Sequence, residues 1–367
     1  MQLPFKPMPM IAVAGLSSLV GGALGVLLLV LMLLLTQVSI GRENAEKHGI
    51  SESSASRMGG VAIAVGVLLF CGIAVSNHYA TSSVSDLRGL FRGYEWAPLL
   101  LGFIGLVEDI TQRISPRRRL IVMLLLVCLT LIITPSLLPQ QVEFLVFVES
   151  LNHPVVMTLA TTIIVVGFIN AGNIADGANG LLSITALCVF YLAYQHIQSV
   201  VFFGLFVSIA VFALYNLASG RIFLGDFGSY GLSAMMAFAC LDLLAVSGAS
   251  IWFFAAILSY PCTEVVRVIA NRLLRNKSPF AADNSHVHNK IFLALKRRGV
   301  PSLVANSATG IIISGLFSVL PTVLAVSGLL PWTSSLWFGY FVVGILVHLG
   351  LSLLSRQYAE KGVVGEA

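Results

Sequence analysis

Residues 199–247 read SVVFFGLFVSIAVFALYNLASGRIFLGDFGSYGLSAMMAFACLDLLAVS, two apolar runs near 199–217 and 229–247 joined by a polar bridge that ends in Gly225-Asp226-Phe227-Gly228-Ser229. Each run approaches the roughly 20 apolar residues needed to cross a bilayer core. A carboxylate next to hydrocarbon costs about 2.5–3.5 kcal/mol at mid-bilayer. Asp226 is therefore a functional-site candidate from its position alone.

Working outward, the same alternation fills the chain. With those two runs, apolar segments near 10–36, 59–76, 95–107, 120–138, 154–171, 178–195, 250–270, 303–328 and 335–354 make eleven, of which 95–107 is the shortest. Hydrophobic residues make up 57% of the 367, charged residues only 10%, and the mean hydropathy is +0.93. The sequence thus predicts an all-α polytopic integral membrane protein of about 11 transmembrane helices. It reads as a single transmembrane domain over residues 1–367, with its chemistry within about 57–300. The longest polar stretch, about 271–302, is too short to bury a core of its own, so any chemistry must use loops standing on the helical bundle. The first segment reads as a retained anchor, because its apolar run is longer than a signal-peptide core.

Lys and Arg set the expected orientation. With the N-terminus outside, the inside connections hold Arg42, Lys47, Arg57, Arg113, Arg117, Arg118, Arg119, Arg221, Arg272, Arg275, Lys277, Lys290, Lys296, Arg297, Arg298, Arg356 and Lys361. Lys6, Arg88 and Arg92 fall outside and Arg267 lies near a boundary. This places the C-terminus and the polar islands on the cytoplasmic side. The net charge of +5 and pI near 9.0 do not point to a nucleic acid, since the cations line membrane-flanking loops and face the anionic lipid bilayer. Cys71, Cys128, Cys188, Cys240 and Cys262 sit in apolar segments without metal-type spacing and read as packing residues.

Four polar islands stand out. Glu108-Asp109 ends an apolar run beside Arg113 and Arg117-Arg118-Arg119, a pattern suited to metal or general-base work on a phosphorylated substrate. An ordinary solvated loop with ion pairs is the competing reading. The run Asn170-Ala171-Gly172-Asn173-Ile174-Ala175-Asp176-Gly177-Ala178-Asn179-Gly180 packs amides and a carboxylate beside hydrocarbon, where they need partners. Asn side chains can read the edges of a base or sugar, although a plain turn also explains the glycines. The third island is Asn216, Arg221 and Phe223-Leu224-Gly225-Asp226-Phe227-Gly228-Ser229: glycines that let amides approach phosphate, and a hard oxygen ligand for Mg²⁺. Helix capping by Asp226 is the alternative, and Phe223 either stacks on a base or packs. The fourth, from Ser278 to His288, holds His286 and His288 near Arg272, Arg275 and Lys277. A His-x-His pair can bind a transition metal, but beside three cations it fits better as a diphosphate clamp.

In this collinear order, together with Arg57-Met58-Gly59-Gly60, the islands resemble one family across about residues 57–290. It is the polyprenyl-phosphate N-acetylhexosamine-1-phosphate transferases (glycosyltransferase family 4), in their WecA-like branch, related to the peptidoglycan enzyme MraY. The resemblance implies transfer of a sugar 1-phosphate from a UDP-N-acetylhexosamine to undecaprenyl phosphate, releasing UMP, with Mg²⁺ or Mn²⁺. It further implies a multi-pass protein of the bacterial inner membrane that initiates O-antigen-like polysaccharide synthesis, with a homodimer as a candidate assembly. Carried over by position, the acidic pair is Glu108 and Asp109 and the metal aspartate is Asp226. The nucleotide-facing residues are Asn173, Asp176, Asn179 and Asn216, with Phe223 as the uracil-stacking aromatic. His286 and His288 form the histidine motif, and Arg272 contacts the diphosphate.

Three positions depart from the family pattern. Glu108 and Asn179 stand where Asp is usual, and Glu264 does so after Pro261. The short histidine motif favours the WecA-like branch over the peptidoglycan one. The rival classes are a membrane transporter, a CDP-alcohol type phosphotransferase and an inactive scaffold relative. A transporter needs polar groups at several depths, and the CDP-alcohol signature is missing around Asp176.

Overall fold

The computed structural model describes residues 10–37, 55–81, 91–139, 142–144, 147–149, 153–276, 278 and 286–360. Lys6, Arg42, Lys47, Arg88, Lys277, Lys361 and residues 279–285 of the fourth island lie outside them.

Every segment expected to be helical is helical. The order is α1 (Met10–Leu35), α2 (Gly59–Thr81), α3 (Trp96–Thr111), α4 (Pro116–Ile133), α5 (Pro154–Ala175), α6 (Leu181–Ile197), α7 (Val200–Ser219) and α8 (Gly225–Ser247). Then follow α9 (Ile251–Ile257), α10 (Ser259–Leu274), α11 (Val287–Arg297), α12 (Ser302–Ser314), α13 (Leu320–Val326) and α14 (Trp337–Glu360). Boundaries follow local chemistry. Ser115 accepts the Arg118 N–H, with Pro116 in the first position of α4, where no donor is required. Ser199 and Ser250 cap α7 and α9 in the same way, accepting the N–H of Val201 and Trp252.

The protein is a polytopic membrane protein, but the structure does not support a count of eleven spans. Among the described residues six helices are long and apolar enough to cross a membrane, or seven with one bent pair. The helices α3 and α6 have 16 and 17 residues, short of about 20, and α4 opens on three arginines. The expected span at 250–270 is broken, with α9 and α10 meeting at 73°. Pro261 lies in the first turn of α10, where its missing N–H is tolerated and a continuous helix through it is not. The 303–328 span carries a π-helical turn at Gly315–Val319 just ahead of Pro321. The fold is also not purely helical: β1 (Val142–Phe144) and β2 (Phe147–Glu149) pair antiparallel, and Ser56 bridges Ile222 in parallel.

Helix α8 organises the bundle. It is the most buried of the six spans, and α2, α3, α5 and α6 pack around it. Missing side chains allow the closest approaches, as between membrane helices generally. A Cβ on Gly60 of α2 would collide with Gly228, and one on Gly105 of α3 with the backbone of Asp226. At the other end of α8, Arg92 grips Asp242 through two bonds of 2.7 and 2.6 Å, and the buried Tyr94 hydroxyl donates to the same carboxylate at 2.9 Å. Asp242 lies sixteen residues, about 24 Å of helix, from Asp226. The segment before α3 is thus fastened to one end of α8 while α3 itself is pressed against the other.

Gly105→Ala should overpack the α3–α8 contact by about 1–3 kcal/mol and lower the thermal midpoint of the detergent-purified protein. Gly167→Ala, where a Cβ meets nothing within 4 Å, should leave it unchanged; equal midpoints for the two variants would contradict this packing.

Candidate active site

The early Arg57-Met58-Gly59-Gly60 segment lies along the loop that leads into α8. The Ser56 N–H donates to the Arg221 carbonyl at 3.0 Å, the Phe223 N–H to Ser56 at 2.7 Å, and the Gly59 and Gly60 N–H groups to Phe223 and Leu224 at 2.9 Å. This pairing delivers Arg57 to Asp109, whose Oδ1 accepts from Nη1 at 3.3 Å. Asp109 Oδ2 accepts the backbone N–H groups of Asp226 at 2.7 Å and Phe227 at 3.3 Å. The last residues of α3 therefore cap the N-terminus of α8, where free donors and the helix dipole favour an anion. Gly225 begins that helix with φ +69°, and a Cβ there would press on the Arg57 carbonyl and on Asp109, so glycine is required on both counts.

Asp109 is 4% exposed. Burial first, and then the Asp226 carboxylate, push its carboxyl up to about 6, against the opposite pull of Arg57 and the two backbone donors. Glu108, its neighbour, turns elsewhere: its Oε2 accepts the Ile114 N–H at 3.0 Å and closes the loop between α3 and α4.

Asp226 faces outward, its side chain 23% exposed. Asn173 of α5 donates to Oδ1 at 3.0 Å and to the Ser229 hydroxyl at 2.7 Å. Tyr230 reaches Oδ2 at 3.4 Å, and Arg119 at the start of α4 lies 3.7 Å from the same oxygen while its guanidinium stands over the Tyr230 ring. Three of the four islands and the Arg57 segment meet here: Arg57, Asp109 with Arg119, Asn173, and Asp226.

The histidines form a second group four residues further along the α5 end. Their rings stack with centroids 5.1 Å apart and 7° between planes. A Cβ on Gly177 would collide with Nε2 of His288, so His288 rests against the Asn-rich island. His288 Nδ1 pairs with the Tyr260 hydroxyl at 3.0 Å. Burial, and then His286, hold His288 down to about 3, a neutral imidazole at physiological pH. His286 Nδ1 meets Glu264 Oε1 at 3.0 Å.

Other expected site residues are used inside the protein. Asn179 is 2% exposed and Asn216 3%. The Asn179 N–H donates to Asn306 at 2.9 Å and its side-chain amide to Ser307 at 3.3 Å. Asn216 accepts the Gly180 N–H at 2.8 Å and donates to the Ile222 carbonyl at 2.7 Å and to Asn179 Oδ1 at 3.4 Å. This knot ties the turn after α5 to the α7–α8 loop and to α12. Asp176 is the C-cap of α5, Phe223 is half-buried with its backbone in the Ser56 pairing, and Arg272 lies half-buried in the last turn of α10. The sequence reading missed Tyr230 and Tyr260 as site neighbours, and their helical spacing from Asp226 and Glu264 was the signal for them.

Among the described residues no three His, Cys, Asp or Glu side chains form a ready-made ion cage. Asp226 still fits a hard divalent cation. It offers a partly exposed carboxylate whose Oδ2 has only long contacts, the arrangement suited to Mg²⁺, which takes one or two carboxylates and completes its shell with water and substrate phosphates.

The description Glycosyl transferase family 4 matches residues 92–244. An undecaprenyl-phosphate alpha-N-acetylglucosaminyl 1-phosphate transferase of Thermotoga maritima is 32% identical over 124 residues, 34% of this chain and 39% of that protein. A phospho-N-acetylmuramoyl-pentapeptide-transferase of Staphylococcus saprophyticus is 22% identical over 262 residues, 68% of this chain and 80% of that protein. A probable undecaprenyl-phosphate N-acetylglucosaminyl 1-phosphate transferase of Bacillus subtilis is 25% identical over 303 residues, 79% and 77% of the two chains. The matched core runs from Arg92 past Asp242 and contains Asp109, Asn173 and Asp226, and over it the chain is similar to glycosyl transferase family 4.

Proposed function

We propose that this protein transfers an N-acetylhexosamine 1-phosphate from a UDP-sugar to undecaprenyl phosphate, releasing UMP, at the cytoplasmic face of the bacterial inner membrane. The product would begin an O-antigen-like envelope polysaccharide. In this reading the shorter helices complete the eleven crossings and the N-terminus lies outside. The observation that carries it is the convergence on the α8 N-terminus of Asp226, Asn173, Arg57 and Arg119, with His288 resting on Gly177, four residues after Asn173. Both kinds of relative, N-acetylglucosaminyl and N-acetylmuramoyl-pentapeptide, support the coarser reading of sugar-1-phosphate transfer to a polyprenyl phosphate.

The lipid phosphate, with a second pKa near ~6 as in other phosphate monoesters, is largely dianionic at neutral pH and needs no strong base. One of its oxygens attacks the β-phosphorus of the donor, the bond from that phosphorus to the bridging oxygen breaks, and UMP leaves with the electron pair. Asp226 would hold Mg²⁺, or Mn²⁺ in its place, with Asn173 fixing the carboxylate. That ion would neutralise charge on the diphosphate. Arg119 and Arg272 attract the phosphates, with the histidines lining the site beside them, in keeping with phosphoryl transfer by positioning and electrostatics.

Asp109 acts by position. Its two oxygens are taken up by Arg57 and two backbone donors, so it fixes the angle at which Asp226 is presented. Asn179 and Asn216 hold the surrounding loops, and Asp176 and Phe223 stand at the edge of the nucleotide site. The transporter reading is weaker because the clustered polar groups lie at one end of α8, while at the other end Asp242 is locked by Arg92 and Tyr94.

The activity test is lipid-dependent UMP release by purified protein given undecaprenyl phosphate, Mg²⁺ and a panel of UDP-N-acetylhexosamines. Asp226→Asn should reduce turnover by at least about 10²-fold. No turnover with any donor favours an inactive relative, and an Asp226→Asn variant with full activity and unchanged Mg²⁺ dependence removes Asp226 from the role. Separately, the infrared carboxyl band lost in Asp109→Asn should titrate near pH 6 in metal-free protein, above the ordinary value for Asp. Because the native pKa is raised, the ionised form prevails only above that pH in the metal-free protein. Titration of the band near pH 4 would contradict the burial of Asp109.

A further inference from the structure

Glu264 of α10 is fully buried and lies outside the residues of the family match. Its Oε1 accepts from Arg267 Nη2 at 2.5 Å and from the Val287 N–H at 3.3 Å, and it meets His286 Nδ1 at 3.0 Å. Its Oε2 accepts from Arg267 Nε at 3.1 Å and lies 2.9 Å from Nε2 of His348. His348 belongs to α14, the last helix, and its imidazole is 0% exposed. Neither ring nitrogen makes a hydrogen bond of good geometry, so the approach of Nε2 to Glu264 is a close charge contact, and the ring faces Tyr260 at 5.2 Å and Phe317 at 6.1 Å between centroids. A buried imidazole with an unpaired nitrogen in an apolar setting is costly and calls for a reason. The contact with Glu264 supplies one.

We infer that Glu264 and His348 are positioning residues for transfer, holding the His286 ring in one tautomer beside the substrate phosphates. An ionised carboxylate only accepts, so both imidazoles must present N–H groups to it. His286 then carries its proton on Nδ1 and leaves Nε2 free of that proton, and His348 carries its proton on Nε2. Arg267, 8% exposed at its side chain, balances the carboxylate charge. The Val287 N–H, at the start of α11, fixes the backbone beside His286 to the same oxygen. His348 takes up Oε2 from behind, which leaves Oε1 turned toward His286. The parallel stack then carries this orientation to His288, which rests on Gly177 of the polar island. Lys290 of α11, reaching Ser352 of α14, shows that the final helix backs the histidine segment at a second point. Outer partners of this kind fix the tautomer and orientation of a working histidine.

The role in transfer rests on the proposed function, whereas the tautomer does not. The test therefore has two arms on the full-length chain in lipid nanodiscs. The first is ¹⁵N-histidine NMR, with the His286 signals assigned by their loss in His286→Gln. Wild type should show Nδ1 protonated and Nε2 unprotonated. Glu264→Gln, which can turn an amide donor toward the ring, should shift the proton to Nε2. His348→Leu should give averaged tautomers, and His348→Gln, with a donor of similar reach, should restore the wild-type pattern. A His286 pattern unchanged in both Glu264→Gln and His348→Leu overturns the inference. The second arm is steady-state UMP release. His348→Leu should lower kcat about tenfold with donor KM within twofold, and His348→Gln should recover most of the loss. A matched fall in thermal midpoint with kcat unchanged would make His348 a packing residue and overturn its role in transfer. If wild type releases no UMP with any donor, the proposed function fails while the NMR arm still decides the tautomer.

Discussion

The fold depends on one buried carboxylate meeting the start of one helix. Asp109 closes the N-terminus of α8 by accepting two of its free backbone donors and is itself held by Arg57. A charge that far from water is tolerated because every part of it is answered: a cation on one oxygen, oriented N–H groups and a helix dipole on the other. The cost remains visible in its raised carboxyl pKa. In return, three segments distant in sequence, the stretch leading into α2, the end of α3 and the start of α8, are fixed relative to one another.

From that anchor the rest follows in order. With the first turn of α8 fixed, Asp226 projects outward beside Asn173, and α5 carries the geometry on to Gly177 and the histidines. Small residues make this possible, since Gly60 and Gly105 let α2 and α3 lie against α8 at backbone distance. The knot of Asn179, Asn216 and Asn306 holds the surrounding loops by direct hydrogen bonds. The Arg92–Asp242–Tyr94 contact secures the far end of α8, so the helix is fixed at both ends and the carboxylate with work to do lies at one of them.

Much of this was legible in the sequence, and the limits are instructive. Apolar runs located every helix except α11, which lies in the polar 271–302 stretch, but they could not show that Pro261 breaks α9 from α10 or that α3 and α6 are shorter than the usual crossing. Polar residues beside hydrocarbon marked Asp109, Asn173 and Asp226, which the fold brings into contact at the start of α8. The same signal marked Asn179 and Asn216, which the fold spends on its own backbone. A buried amide looks alike in sequence whether it serves a ligand or a loop, because both uses follow from the need to satisfy a polar group away from water. Asp242 and His348 gave no motif at all. Each is a single polar residue within an apolar run, and only the packing of the bundle names its partner. Glu108 misled by adjacency: successive residues on a helix point about 100° apart, so one carboxylate entered the site and the other closed a loop.

The central claim is that α8 presents Asp226 as the protein ligand for a divalent ion shared with the donor diphosphate. Its most direct test is Mn²⁺ electron paramagnetic resonance on the full chain in nanodiscs, with UDP added, for wild type and Asp226→Asn. The account predicts a protein-bound Mn²⁺ signal that requires UDP in wild type and is lost in the variant, with UDP still able to compete for the site. A bound signal of equal strength in both proteins would place the ion elsewhere and contradict the account.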